Sequence, residues 1–276
     1  MLNVFYVLMR HRACLNNFSL LISDLRSAFP DHRIGQIIGS LTDRRFESLS
    51  IDIKDHVLPR CIFSLARLKN LKLCGCQFRS SNVAFDCAEL DVFELRGLAV
   101  PKIGGGEEAR FSFNRPSLSA LTMVGCDDFY DKISIVIEAP KLEYFRDAGS
   151  SSLLEFKHTP LLKIVHVHQD ISFFEDKGYF NMSRFTNGLP AVEQLSLSGY
   201  FYNIGKQHIS AAVDDCDPKL INDNKSSWPK LNRMKMEQFE ATKLDMAFVR
   251  SLLAASPALD KMEIEFSARH GLQDRW

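Results

Sequence analysis

The chain has 276 residues, 46% of them hydrophobic and 25% charged, which places it among ordinary folded proteins, with enough apolar sequence for one large core. Lys plus Arg and Asp plus Glu number 34 each, so no general electrostatic footprint for nucleic acid or a membrane surface is present. Seven cysteines without regular pairing do not form a disulfide framework, and they point to reduced thiols in the cytoplasm or nucleus.

Residues 1–17 open on an apolar run, MLNVFYVLM, followed by the basic patch Arg10-His11-Arg12. The run has no basic leader or small-residue cleavage site, and it is too short to span a bilayer, so it reads as a truncated N-terminal remnant of a buried element. Asn17–Asp24 reads as a strand. Pro30-Asp31 opens a predicted helix reaching Leu41, with Ile34, Ile37, Ile38 and Leu41 at helical spacing. Phe46–Asp52 is the next predicted strand, and His56–Ser64 links it to the one after.

From there one frame recurs: a small residue or Pro, then apolar residues at +2, +5 and +7. It is clearest in Pro116-x-Leu118-x-x-Leu121-x-Met123. It returns with Ala66, Ala88, Pro160, Pro190, Pro229 and Pro257 in the first place, and the stretch from Arg44 to Ile51 fits without the small residue. The copy beginning at Pro140 holds through Phe145 until Asp147 interrupts its last position. Residues +5 and +7 share one face of a short strand, and +2 lies on the turn before it. A single such unit cannot bury its apolar face, so neighbours must stack. The spacing, mostly within the roughly 20–29 residues of a regular leucine-rich repeat, predicts an α/β fold: an irregular leucine-rich-repeat solenoid with a curved parallel sheet over 18–238. Gly75-Cys76 and Gly125-Cys126 stand where the repeat usually has Asn. Arg79–Phe85 and Val100–Glu108 read as turns and extended loops, and Tyr202–Ser227 as an acidic exposed insertion.

After Phe239, Thr242-x-x-Asp245 resembles a capping box. Leu244, Phe248, Val249, Leu252 and Leu253 follow as one apolar helical face; Ser256-Pro257 stops the helix, and Ala258–Phe266 returns to the strand frame. Residues 239–276 thus form a strand-helix-strand C-terminal module.

Between the core positions, each strand offers one residue to the opposite, concave side. In order these are Ser50, Lys72, Glu94, Thr122, Arg146, His166, Ser196, Lys235 and Glu263. Together with His168 they are the candidate protein-binding residues, since curved solenoids use that face for partners. No catalytic constellation, cofactor motif or complete metal-ligand set accompanies them. His166 and His168 share a strand face without a fixed carboxylate or thiolate partner, Gly104-Gly105-Gly106 is not followed by G-K-[ST], and Cys74-x-Cys76 lacks zinc spacing. The sequence therefore describes a non-enzymatic chain.

The run Leu58-Pro59-x-Cys61-Ile62-Phe63-Ser64-Leu65, continued by Leu68-Lys69-x-Leu71-x-Leu73-x-Gly75-Cys76-x-Phe78, closely resembles plant F-box/LRR proteins of the FBD class. Phe239–Phe266, FEATKLDMAFVRSLLAASPALDKMEIEF, looks like the FBD module that closes those proteins. The resemblance implies a repeat domain that selects a protein substrate for a cullin-based ubiquitin ligase. Nothing before Phe18 resembles the family's F-box, so docking on the ligase adaptor is expected only where an F-box is supplied upstream or in trans. The alternative is an F-box-less scaffold or decoy. Neither nucleic acid nor membrane is an expected partner.

Overall fold

A computed structural model describes residues 16–22, 31–41, 46–54, 56–78, 82–84, 87–97, 109–125, 133–149, 153–169, 189–199, 228–239 and 243–266. The apolar opening run, the basic patch, the triple-glycine loop, Val100–Glu108, the acidic insertion, Cys126, Thr242 and the C-terminal tail lie outside them.

The chain opens with β1 (Asn17–Ile22), α1 (Asp31–Gly39) and β2 (Ser48–Ile53), the strand-helix-strand order read from the sequence. Ile34, Ile37 and Ile38 are the buried face of α1, at the spacing that predicted it. A 3-10 turn, Arg60–Ser64, then leads into β3 (Asn70–Cys74). From here to β11 the strands alternate between two sheets. The chain runs through β4 (Asn82–Ala84), β5 (Val92–Arg96), β6 (Ala109–Asn114), β7 (Ala120–Val124), β8 (Ile133–Glu138), β9 (Tyr144–Ala148), β10 (Leu153–His158) and β11 (Ile164–Gln169). It closes with β12 (Gln194–Gly199), β13 (Arg233–Phe239), α2 (Lys243–Ala255) and β14 (Lys261–Phe266).

Ten strands form one sheet in the order β1-β2-β3-β5-β7-β9-β11-β12-β13-β14, and the pairings are all parallel. The fold is the expected α/β solenoid with a helix between strands at each end. Its middle departs from expectation. Between the repeats runs a second parallel sheet, β4-β6-β8-β10, so part of Arg79–Phe85, expected as turn and loop, is strand. The reason is visible in the residues: Phe111 and Phe113, Ile135 and Ile137, and Leu154 and Phe156 stand two apart and are all buried, with Val136 buried as well. Rings from the two sheets meet in the core, Phe145 on Phe156 at 5.0 Å edge to face and Phe93 on Phe113 at 5.8 Å. These strands join the long sheet in one hydrophobic core.

The repeat frame is also longer by one residue than the sequence suggested. In most copies the N–H of the +2 residue donates to the carbonyl three residues earlier: Leu68 to Leu65, Leu90 to Cys87, Leu142 to Ala139, Leu162 to Thr159, Leu231 to Trp228. Pro or a small residue therefore occupies the second place of a β-turn, where a fixed φ is an advantage. The residue before it is core: Leu65, Cys87, Ala139, Thr159, Leu189, Trp228 and Ser256 are all buried. Two successive N–H groups at each strand start then share one carbonyl of the preceding strand, as Asp91 and Val92 do with Lys69 and as Lys163 and Ile164 do with Glu143.

The strands of the middle repeats end on glycines in the left-handed region: Gly75 (φ 65°), Gly97 (φ 53°) and Gly125 (φ 59°). Their N–H groups donate to the next strand at Arg96, Val124 and Ala148. Cys76, just past the first of these, is wholly buried; burial pushes its thiol up to about 12, which leaves it unreactive as a thiolate.

Two readings of side chains need correction. Asp147 does not end its repeat: β9 keeps register, with Asp147 opposite Met123 and Val167 and only 1% exposed. Leu253 does not belong to the buried face of α2; it is 48% exposed, whereas Val249 and Leu252 are buried and Phe248 is partly so. The helix ends before Ser256-Pro257 as expected.

Candidate functional site

In a parallel sheet, lateral partners are fixed by register, and the register here aligns the candidate residues. Ser50 pairs with Lys72, Lys72 with Glu94, Glu94 with Thr122 and Thr122 with Arg146. The line continues through His166, Ser196, Lys235 and Glu263. All nine stand in one unbroken row on the face opposite the core. His168 lies one row further along the strands, beside Ala148 and Ser198. The +5 and +7 residues on either side of the row are buried from β2 to β13, Asp147 included. Within the row Lys72, Arg146 and Glu263 are exposed, and the remaining six are half-buried. A parallel sheet normally has both faces covered by apolar layers; this one presents a polar face.

The two ends of that face carry ion pairs. Lys72 Nζ lies 3.4 Å from Glu94 Oε1, and Arg96 Nε donates to the same carboxylate oxygen. At the far end Lys235 donates to Glu237 and lies 3.6 Å from Glu265, while Lys261 pairs with Glu263. Hydrogen bonding to Glu237 raises the Lys235 ammonium, and the reciprocal bond, with a second from Ser198, lowers the Glu237 carboxyl. The Lys261 hydrogen bond likewise holds Glu263 below the usual carboxylate range.

The centre differs. Arg146 makes no ion pair among the described residues. Its lateral neighbours are Thr122 and His166, and along its own strand Tyr144 and Ala148 share its face. The four diagonal places hold Ala120, Val124, Ile164 and His168, so no carboxylate adjoins it on the sheet. The nearest acids in sequence are engaged elsewhere: Glu143 binds Lys163 at 3.1 Å before the strand begins, and Asp147 faces the core.

The two histidines have different surroundings. His166 packs its ring on Tyr144 with centroids 5.8 Å apart, whereas His168 Nδ1 lies 2.8 Å from Ser198 Oγ. Burial lowers the His166 pKa first and the Arg146 charge lowers it further, with Glu237 opposing. Because the folded form favours the neutral ring, its stabilising contribution is complete above the ordinary value of about 6.5 and is lost as pH falls through the depressed folded value. In Arg146→Met the His166 pKa should rise yet stay below the ordinary value, because burial remains. An NMR titration of the imidazole protons measures this, and an unchanged His166 pKa would show that the guanidinium does not act on it.

Sequence reasoning located the central row and His168 but not the flanking participants Tyr144, Arg96, Ser198, Glu237 and Glu265. Tyr144, Arg96 and Ser198 occupy positions +4 or +8 of the frame; Glu237 and Glu265 are likewise +8 from Pro229 and Pro257, so the same periodicity carried the signal.

Fold and face together define a leucine-rich-repeat-like solenoid with a polar sheet surface. The chain is 27% identical over 203 residues to an F-box/FBD/LRR-repeat protein of Arabidopsis thaliana, an alignment covering 71% of this chain and 46% of the relative. It thus resembles the plant F-box/FBD/LRR-repeat family and spans about half the length of the curated relative it matches. No family model matches the chain. No described helix is long and apolar enough to cross a membrane.

Proposed function

We propose that this chain is a protein-binding module whose outer, concave sheet face holds a partner, in the manner of the substrate-selecting part of an F-box subunit of a cullin-based ubiquitin ligase. The observation carrying this reading is the row from Ser50 to Glu263, which stays in register while, from β2 to β13, the residues on either side of it are committed to the core. A solenoid gains a long recognition surface in this way without dedicating a cavity to it. The similarity to an F-box/FBD/LRR-repeat protein supports the link to ubiquitination. Binding, not catalysis, is the role assigned to the face, and the cytoplasm or nucleus is its setting. Contact with the ligase adaptor falls to an F-box supplied upstream or in trans. Repeats acting as a scaffold or decoy are the second reading.

Purification of the tagged chain from plant cells tests the proposal, with adaptor and cullin scored beside Thr122→Trp, which places bulk at the centre of the row. The expected result is a reproducible partner that Thr122→Trp loses while its circular dichroism stays native. Adaptor and cullin in the same complex would favour ligase recruitment; their absence beside a Thr122-sensitive partner would favour the scaffold or decoy. A partner retained by Thr122→Trp would sink the outer-face reading.

A further inference from the structure

We infer that the centre of the outer face receives an Asp or Glu side chain of an extended partner segment, with Arg146 as its counter-ion and the Tyr144–His166 pair as an aromatic wall beside it. This rests on the outer-face reading and narrows it to a class of partner. The argument is one of charge balance. Three cationic side chains stand in the central row, Lys72, Arg146 and Lys235, and two are already answered by carboxylates within the sheet. The third sits in a patch whose eight surrounding sheet positions contain none.

That patch is built of small or half-buried neighbours, Ala120, Ala148 and Val124 among them, so the guanidinium is exposed above a low floor. Arginine offers a planar fork of donors matched to a carboxylate, and the pair strengthens as water leaves. Side chains on one face of an extended segment are about 6.8 Å apart and the strands about 4.8 Å apart, so a segment crossing the row obliquely can set one side chain at Arg146 and the next on that face near Thr122 or His166. Toward either end the cations are already engaged, Lys72 and Arg96 by Glu94, and Lys235 and Lys261 by Glu237, Glu263 and Glu265. A partner carboxylate therefore gains most at Arg146, so one central acid also favours one alignment.

The test pans a displayed library of randomised dodecapeptides against the purified full chain, then measures the selected synthetic peptides by fluorescence anisotropy. Peptides carrying Asp or Glu should be enriched, and Arg146→Glu should weaken them by about tenfold or more. Lys69→Met, which removes a charge already paired with Glu47 and lying outside the row, should leave them within about twofold. Both substitutions are at exposed positions, and circular dichroism confirms that each variant is folded. If the selected peptides lack acids, or bind Arg146→Glu as well as wild type, the proposal is overturned, while loss of binding in Thr122→Trp would still uphold the outer-face reading. If no enriched peptide responds to Thr122→Trp, both fail. Acidic peptides that bind only after Asp214, Asp215 and Asp217 are changed to Asn would name the chain's own acidic stretch as occupant, and would also overturn it.

Discussion

Phe145→Ala is expected to lower the free energy of unfolding by about 3–5 kcal/mol, the range for emptying a large buried aromatic site. Phe145 is wholly buried in β9 and meets Phe156 of β10 edge to face at 5.0 Å. The pair is one of the places where the long sheet and the second sheet touch directly, so truncation opens a void between layers that neither backbone ladder can close. Most of the cost is lost burial and cavity, and the ring geometry itself contributes about 0.5–1.5 kcal/mol. Urea denaturation of Phe145→Ala, Phe156→Ala and the double variant separates these parts. A coupling near zero would mean that the rings pack independently, and a total cost below about 1 kcal/mol would contradict the packing described for the core.

Gly75→Ala should cost about 1–3 kcal/mol although it adds one methyl group at a turn. With φ at 65°, an L side chain is disfavoured there, and the new Cβ would lie 3.1 Å from the Lys54 Cα, a backbone atom unable to swing aside. Gly97 provides the control. Its φ is also positive, but the nearest atom to an added Cβ is the Gly75 nitrogen at 3.8 Å, so Gly97→Ala should bear the conformational strain without the collision. Thermal denaturation of the two variants under identical conditions should rank Gly75→Ala the less stable. Equal losses would show that the contact with Lys54 relaxes freely.

These two sites also show what the sequence disclosed and what it withheld. The +2, +5 and +7 frame located every long-sheet strand from β2 to β14, because a strand buried on one face must alternate and a stacked unit must repeat. The same frame put nine outward residues in one row before any geometry was known. It did not find Phe156 or its sheet. Phe111, Ile135 and Phe156 lie between copies of the frame, and a pattern defined by +2, +5 and +7 passes over them. Asp147 departs from the frame for the opposite reason: a carboxylate stands in a core position, yet five paired positions on each side of β9 hold the register regardless. Exposure of Leu253 was out of reach of periodicity, since a helix that caps a solenoid covers the core with only part of its apolar stripe. As for the face, residue identity revealed its polarity, but which charges are answered depends both on lateral partners 20 or more residues away, as Lys72 and Glu94 are, and on the next residue of the same face, as Lys235 and Glu237 are.

The shared carbonyl at each strand start carries a consequence for how such a chain can diversify. Where β12 follows β11, and where β13 follows β12, the returning strand is caught by the same paired N–H contacts as elsewhere, Glu193 and Gln194 on Lys163 and Asn232 and Arg233 on Glu193. The docking geometry is therefore indifferent to how much chain intervenes. Closing a flexible connection grows only as the logarithm of its length, about 0.6 kcal/mol for each doubling. The lengths of chain between these strands can thus lengthen, shorten or change sequence while the spacing of the row is held constant, which separates the part of the molecule that can vary from the part that keeps measure.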